Sequence, residues 1–126
     1  MGPDLGAESL KGRKGLRRLF SATGYSLAGI KAAFVGEAAF RQVLMLALVL
    51  VPLASVLQVS RVERALLIAV VLLAPIIELL NSAIEATVDR ISLELHPLSA
   101  KAKDMGSAAQ LLTLLLIFLV WTTILL

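Results

Sequence analysis

The C-terminal segment Ser107–Leu126 constrains the fold most. It carries no charged residue, and its few polar members after Ser107 are Gln110, Thr113, Thr122 and Thr123. About 20 apolar residues in an α-helix are enough to cross the hydrocarbon core of a bilayer. The segment therefore predicts a transmembrane helix.

Two earlier segments are also strongly apolar. Val43–Leu57 reaches spanning length if Ala38–Gln42 supplies another turn, and Ala65–Ile77 continues into a more polar stretch. Of the 126 residues, 59% are hydrophobic and only 17% charged. So short a chain cannot bury that much apolar surface in one core of its own. We therefore expect an integral membrane protein of one domain.

The residues before these spans suggest a helix at the membrane surface. From about residue 10 to 36, apolar side chains recur at helical spacing with Lys and Arg between them, as in helices that lie in the interface. Gly24 and Gly29 could divide this helix. We expect disorder over residues 1–9, a membrane domain over 10–126, and spans at about 38–58, 64–89 and 100–126, the last capped by Ser99.

The cations predict the orientation of the chain. A basic cluster lies near the N-terminus, and Arg90, Lys101 and Lys103 lie in or beside the link between the second and third spans. Positive charges favour the cytoplasmic side, which places the N-terminus and this link in the cytoplasm. The basic cluster suits an anionic membrane face, and no nucleic-acid-binding motif accompanies it. The absence of cysteine excludes thiolate chemistry.

A polar stripe ends the second span. Glu78, Asn81, Glu85 and Asp89 are spaced by three or four residues, so they lie on one helical face. Glu37 adds a carboxylate at the start of the first span. Ionisable residues within a span cost several kcal/mol and are functional by default, although this does not say which function they have.

These residue types suit phosphoryl transfer. Two carboxylates can share a Mg²⁺ ion, which prefers oxygen ligands, and another can act as a general base toward a hydroxyl. Lys103 could hold phosphate oxygens, although the chain has no Gly-rich nucleotide-binding motif. The stripe could equally serve interhelical hydrogen bonding or an ion pathway. Gly106–Ala109 predicts close helix packing, and Tyr25 and Trp121 taken alone are interfacial aromatics.

Three motifs resemble the prokaryotic diacylglycerol kinase family. They are Gly36–Gln42 (GEAAFRQ), Glu78–Arg90 (ELLNSAIEATVDR) and Ala100–Ala109 (AKAKDMGSAA), in the order and at the spacing of that family. The resemblance implies an all-α membrane fold with an N-terminal amphipathic surface helix and three transmembrane helices. It also implies a homotrimer with active sites between subunits, in the bacterial inner membrane.

The resemblance also implies roles for individual residues. Glu78 matches the general base, Glu37 and Glu85 match the ligands of a Mg²⁺ ion bound with ATP, and Asn81 matches a supporting polar residue. The expected nucleotide-binding residues are Arg18, Tyr25, Glu37, Glu85, Glu94, His96, Lys103 and Asp104. The expected lipid-substrate residues are Ala22, Lys31, Phe34, Arg41, Glu78, Ser107 and Trp121.

The function implied is transfer of the ATP γ-phosphate to diacylglycerol, giving phosphatidic acid. Two alternatives stay open. One is a polyprenol (undecaprenol) kinase of the same fold, and the other is a non-enzymatic oligomeric ion pathway lined by Glu78 and Glu85. Pro75 removes a helical N–H three residues before Glu78, and could kink the second span.

Overall fold

A computed structural model describes the backbone of residues 3–126 and the side chains of residues 14–126. Within this range the chain forms four α-helices: α1 (Pro3–Gly36), α2 (Ala38–Val56), α3 (Arg61–Ile91) and α4 (Pro97–Leu125). The all-α prediction, with one N-terminal helix followed by three apolar ones, is confirmed.

Helices α2, α3 and α4 are each long and apolar enough to cross a membrane. Only 22%, 33% and 17% of their most apolar windows, respectively, are buried inside the chain. The remaining apolar surface needs cover from lipid or from other subunits, because water would not solvate it favourably. The central helix of the three is α3, which packs against both α2 and α4.

Helix α1 is continuous through Gly24 and Gly29 and begins at Pro3, ahead of the start expected near residue 10. The expected disorder of residues 1–9 stays a prediction.

At the C-terminal end of α1, Glu37 is extended (φ −122°, ψ 109°) and joins α1 directly to α2. The Arg41 guanidinium donates to the carbonyls of Phe34 (2.7 Å) and Val35 (3.1 Å), which satisfies acceptors that the end of α1 leaves free.

The turn between α2 and α3 is fixed by side chains. Ser60 and Glu63 form a reciprocal capping box at the start of α3. Arg64 donates to the carbonyls of Ala54 (3.1 Å) and Leu57 (2.7 Å), at the end of α2. Helix α3 runs on through Pro75 without interruption. Each end of α2 is thus hydrogen-bonded to an adjacent helix through an arginine: Arg41 links α2 to α1, and Arg64 links α2 to α3.

Helix α4 begins earlier than expected, and the prediction that Ser99 caps it was wrong. His96 is the N-cap, and its Nδ1 accepts a hydrogen bond from the N–H of Leu98 at 3.1 Å. Pro97 occupies the first helical position. Proline suits that position because its φ is already helical and the missing N–H has no intrahelical partner there.

The interface between α3 and α4 follows a three-four spacing on both helices. The buried residues of α3 are Leu67, Val70, Val71, Ala74, Glu78 and Asn81, of which Leu67, Ala74 and Glu78 accept hydrogen bonds from side chains of α4. The α4 side consists of Gly106, Gln110, Thr113 and Ile117. This spacing is typical of helices that pack nearly antiparallel along a common seam. The apolar core beside Leu67 and Val71 gives way to polar residues toward the end where α3 leads into α4.

Candidate functional site

Glu78 lies in the α3–α4 interface, only 6% exposed. Its Oε2 accepts a hydrogen bond from Nε2 of Gln110 at 2.8 Å. The same Nε2 donates to the carbonyl oxygen of Ala74 at 2.9 Å, one turn before Glu78 in α3. A buried carboxylate is stable only with such partners, since an unpaired polar group in an apolar surrounding costs several kcal/mol.

Asn81 lies one turn beyond Glu78, packed against Gly106. A Cβ atom at Gly106 would collide with Oδ1 of Asn81 and would lie 3.2 Å from its Cγ. The missing side chain of Gly106 lets Asn81 pack against α4, and the predicted close-packing role of this motif is confirmed for Gly106. Among the described side chains, Oδ1 of Asn81 and Oε1 of Gln110 are buried without a hydrogen-bond partner.

A charged group follows near the end of α3. Nζ of Lys103 pairs with Oδ1 of Asp89 at 2.7 Å, with the two side chains 41% and 45% exposed. Glu85 is half-buried and close enough to Lys103 for their charges to interact. The stripe predicted on α3 therefore divides: Glu78 and Asn81 face α4 in the interface, whereas Asp89 reaches a lysine on α4 near the surface.

A concavity lies where α3 leads into α4. It has a volume of about 260 Å³, and its lining includes Asp89, Glu94, His96, Lys103 and Asp104. Four of the expected nucleotide-binding residues therefore share one surface depression, beside the Lys103–Asp89 pair. Lys103 is the cation in this lining and stands against the carboxylates of Asp89, Glu94 and Asp104, so an anionic ligand would need a bound cation as well as Lys103 here.

A second and larger groove, of about 510 Å³, separates α1 from α3. Its lining includes Ser26, Ala33, Glu37, Ser82 and Ala86. Small and apolar side chains dominate this groove, and Glu37 is the charged group in its lining. Such a surface is suited to an elongated apolar molecule that carries a polar end.

The other expected site residues are scattered. On α1, Arg18, Ala22, Tyr25, Lys31 and Phe34 are exposed, and so is Ser107 on α4. Trp121 is far along α4 from Gly106, and its Nε1 donates to the carbonyl of Leu67 at 3.2 Å. The structure thus places Trp121 toward the opposite end of the α3–α4 interface from Asn81.

The three carboxylates at the centre of the prediction have different neighbours within one chain. Glu78 meets Gln110, Glu85 lies near Lys103, and half-buried Glu37 lines the groove beside α1. Over the described residues, no group of three acidic or histidine side chains is close enough to hold a metal ion.

Gln110 is a site residue that the sequence reasoning missed. In the sequence it stands out only as a polar member of an otherwise apolar span. The signal that could have found it is its register: Gly106 and Gln110 are one turn apart on α4, as are Glu78 and Asn81 on α3. Antiparallel pairing of these two turns brings Gln110 to Glu78.

The fold and the buried acid define a small helical membrane protein with a buried polar pair about midway along α3 and α4. Residues 24–125 match the family model described as prokaryotic diacylglycerol kinase. A diacylglycerol kinase from Pseudomonas aeruginosa is 68% identical over 116 residues, covering 92% of this chain and 94% of that relative.

Two further relatives carry the same name. The protein from Escherichia coli is 49% identical over 111 residues, covering 88% of this chain and 91% of the relative. The one from Helicobacter pylori is 49% identical over 108 residues, covering 86% of this chain and 84% of the relative. The chain belongs to the prokaryotic diacylglycerol kinase family, and the resemblance noted in its motifs is confirmed.

Proposed function

We propose that this protein phosphorylates diacylglycerol to phosphatidic acid, using ATP and Mg²⁺, at the cytoplasmic surface of the bacterial inner membrane. The observation that carries the proposal is the buried carboxylate of Glu78, which is held by Gln110 at the point where the uninterrupted apolar stretch of α3 ends. Family membership and relatives named diacylglycerol kinase support the choice of reaction and of lipid.

Glu78 is the general base of the proposed reaction. A hydroxyl group must lose its proton as it attacks the γ-phosphorus of ATP, and a carboxylate within hydrogen-bond reach can accept that proton. Glu78 is the buried acid among the described residues, and it lies in the interface between two apolar helices. Asn81, one turn away and also buried, supports this centre.

The concavity between α3 and α4 is the proposed nucleotide site. Lys103 would hold phosphate oxygens, and Asp104, Glu94 and His96 would contact the rest of the nucleotide. Exposed Arg18 and Tyr25 of α1 would complete the contacts. Phosphoryl transfer depends mainly on positioning and on charge stabilisation, so a lysine beside the transferring group would supply much of what the reaction needs.

Glu37 and Glu85 are the proposed Mg²⁺ ligands. Their carboxylate oxygens are the donors that Mg²⁺ prefers, and the ion usually takes only one or two carboxylates besides water and substrate phosphates. Neither side chain is fully buried, and Glu37 makes no capping hydrogen bond to α2. Both are therefore available for an ion, which would neutralise charge on the phosphates.

The groove between α1 and α3 is the proposed lipid site. The acyl chains would lie against the spans. The expected lipid-substrate residues Ala22, Lys31, Phe34, Arg41 and Ser107 are not in the lining of this groove, so any contact they make with the lipid would lie outside it. Trp121 belonged to the same expected set, but its hydrogen bond to Leu67 supports a role in joining α4 to α3.

A homotrimer would explain two features that one chain leaves open. Most of the apolar surface of α2, α3 and α4 is not buried inside the chain. Glu37, Glu78 and Glu85 also have different neighbours within it. In a trimer, contacts between subunits would cover part of the apolar surface of the spans. They would also add side chains of a neighbouring subunit to the surroundings of each carboxylate.

A lipid-acceptor assay tests the proposed function. Purified protein is incubated with ATP and Mg²⁺ and either diacylglycerol or undecaprenol, and the phosphorylated lipid is quantified. We expect faster formation of phosphatidic acid. Faster phosphorylation of undecaprenol would overturn the lipid assignment, and ion flux in vesicles without use of ATP would overturn the kinase assignment.

A further inference from the structure

We propose that Gln110 is a positioning residue that holds the carboxylate of Glu78 in the orientation its role as a base requires. The inference rests on the proposed function, since it concerns the same site. It adds a residue of α4 to the immediate surroundings of Glu78, where the other proposed supporting residue is Asn81 of α3.

The side-chain amide of Gln110 makes hydrogen bonds to two groups of α3. Nε2 of Gln110 donates to the carbonyl oxygen of Ala74 at 2.9 Å and to Oε2 of Glu78 at 2.8 Å. Ala74 and Glu78 are one helical turn apart, so the amide joins the acid to the backbone of its own helix. The Glu78 side chain consequently has little freedom to rotate away from α4.

The bond is directed at one oxygen of the carboxylate. Gln110 engages Oε2, which leaves Oε1 as the atom that can take a proton from a substrate hydroxyl. Gln110 is also neutral, so it orients the carboxylate without pairing it with a full positive charge. A lysine or arginine in its place would stabilise the ionised form far more strongly and so weaken the base.

Packing alone does not explain a glutamine at this position. Gln110 is only 9% exposed, and its Oε1 is buried without a partner among the described residues. A buried, unpaired acceptor is unfavourable, and an apolar side chain of similar shape would avoid it. The glutamine is therefore best explained by what its Nε2 does for Glu78.

Gln110→Met and Gln110→Leu test the inference, because both keep bulk and remove the donor. Initial rates are measured in detergent micelles as functions of diacylglycerol and ATP, and assembly is checked by size-exclusion chromatography. We expect kcat to fall roughly 10- to 100-fold, because a misplaced base lowers the rate steeply. Both KM values should stay within about twofold, because ground-state binding is unchanged.

Thr113→Val is the matched control. Thr113 lies on the same buried face of α4, 5% exposed, and its hydroxyl donates to the carbonyl of Ala109 within its own helix. This substitution removes a buried polar group without touching Glu78, so kcat should remain that of the wild type. A fall in kcat equal to that of Gln110→Met would show a general packing effect and contradict the positioning role.

A double-mutant cycle separates positioning from packing. If Gln110 acts through Glu78, then Gln110→Met should lower the residual rate of Glu78→Gln by less than about twofold. The same fold loss in both backgrounds would overturn the inference, as would an unchanged kcat in both Gln110 variants. A wild-type protein inactive on diacylglycerol would overturn the proposed function itself, and the inference with it.

Discussion

The side-chain amide of Gln110 and the carboxylate of Glu78 meet at 2.8 Å across the interface between α3 and α4. The pair is buried in a seam whose other members, apart from Asn81 and Thr113, are small or apolar. The distance between the two helices therefore sets the geometry of the proposed base. Changes that move α4 relative to α3 should alter activity even when they touch no substrate.

Gly106→Ala should disturb this seam. The added Cβ would collide with Oδ1 of the buried Asn81 side chain. We expect a loss of about 1–3 kcal/mol in stability, the usual effect of overpacking, together with a lower kcat. Unfolding by sodium dodecyl sulfate in mixed micelles measures the loss of stability, and the kinase assay measures kcat.

Gly24→Ala is the matched control for that change. Nothing lies within 4 Å of the Cβ position at Gly24, which is inside α1. Alanine favours the helix over glycine by up to about 1 kcal/mol, so this variant should be as stable as the wild type or slightly more stable. Equal destabilisation by both substitutions would contradict the assigned contact between Gly106 and Asn81.

Lys103→Met should weaken ATP binding more than it weakens the fold. The Lys103–Asp89 pair is partly exposed, so solvent screens it and its contribution to stability should be below about 1 kcal/mol. Losing a charged contact to phosphate should raise the KM for ATP by roughly tenfold or more. Steady-state kinetics at varied ATP measures this.

Lys101→Met serves as the comparison for Lys103→Met, because Lys101 is an exposed cation on the same first turns of α4. It should leave the KM for ATP near the wild-type value. An equal increase in the KM for ATP in Lys103→Met and Lys101→Met would show a general effect of charge. That result would contradict the assignment of Lys103 to the nucleotide site.

Arg41→Ala should loosen the junction of α1 with α2. It removes the hydrogen bonds to the carbonyls of Phe34 and Val35, at the end of the helix that forms one wall of the lipid groove. We expect faster hydrogen exchange in the last turn of α1 and a higher KM for diacylglycerol. Arg64→Ala breaks a similar tie at the other end of α2 and should leave that KM unchanged.

Glu85→Gln should raise the Mg²⁺ concentration that gives half-maximal activity, because an amide is a poorer ligand for this ion than a carboxylate. A magnesium titration at saturating ATP measures the shift. Glu63→Gln is the control, since glutamine can keep the capping box at the far end of α3. An identical titration curve for Glu85→Gln and the wild type would argue against metal binding by Glu85.

Much of the fold could be predicted from the sequence because its determinants are local. Helical periodicity and the length of the apolar segments located α2, α3 and α4 to within a few residues of their ends. The start of α4 was misplaced because Ser99 is a good capping residue taken alone. His96 followed by Pro97 fixes an earlier start through backbone geometry.

The site was less accessible to sequence reasoning because it depends on contacts between helices. The spacing of Glu78, Asn81, Glu85 and Asp89 showed that they share a face of α3, but could not show which of them meets α4. Glu78 accepts its bond from a residue 32 positions away. Only the antiparallel register of α3 and α4 identifies Gln110 as its partner.

The rate of phosphate transfer from ATP to diacylglycerol, compared between the wild type and Glu78→Gln, tests the central claim most directly. Both proteins should elute as the same assembly and bind ATP with similar affinity. We predict that the wild type forms phosphatidic acid and that Glu78→Gln loses nearly all turnover. A Glu78→Gln protein that keeps the wild-type kcat would contradict the assignment of Glu78 as the base.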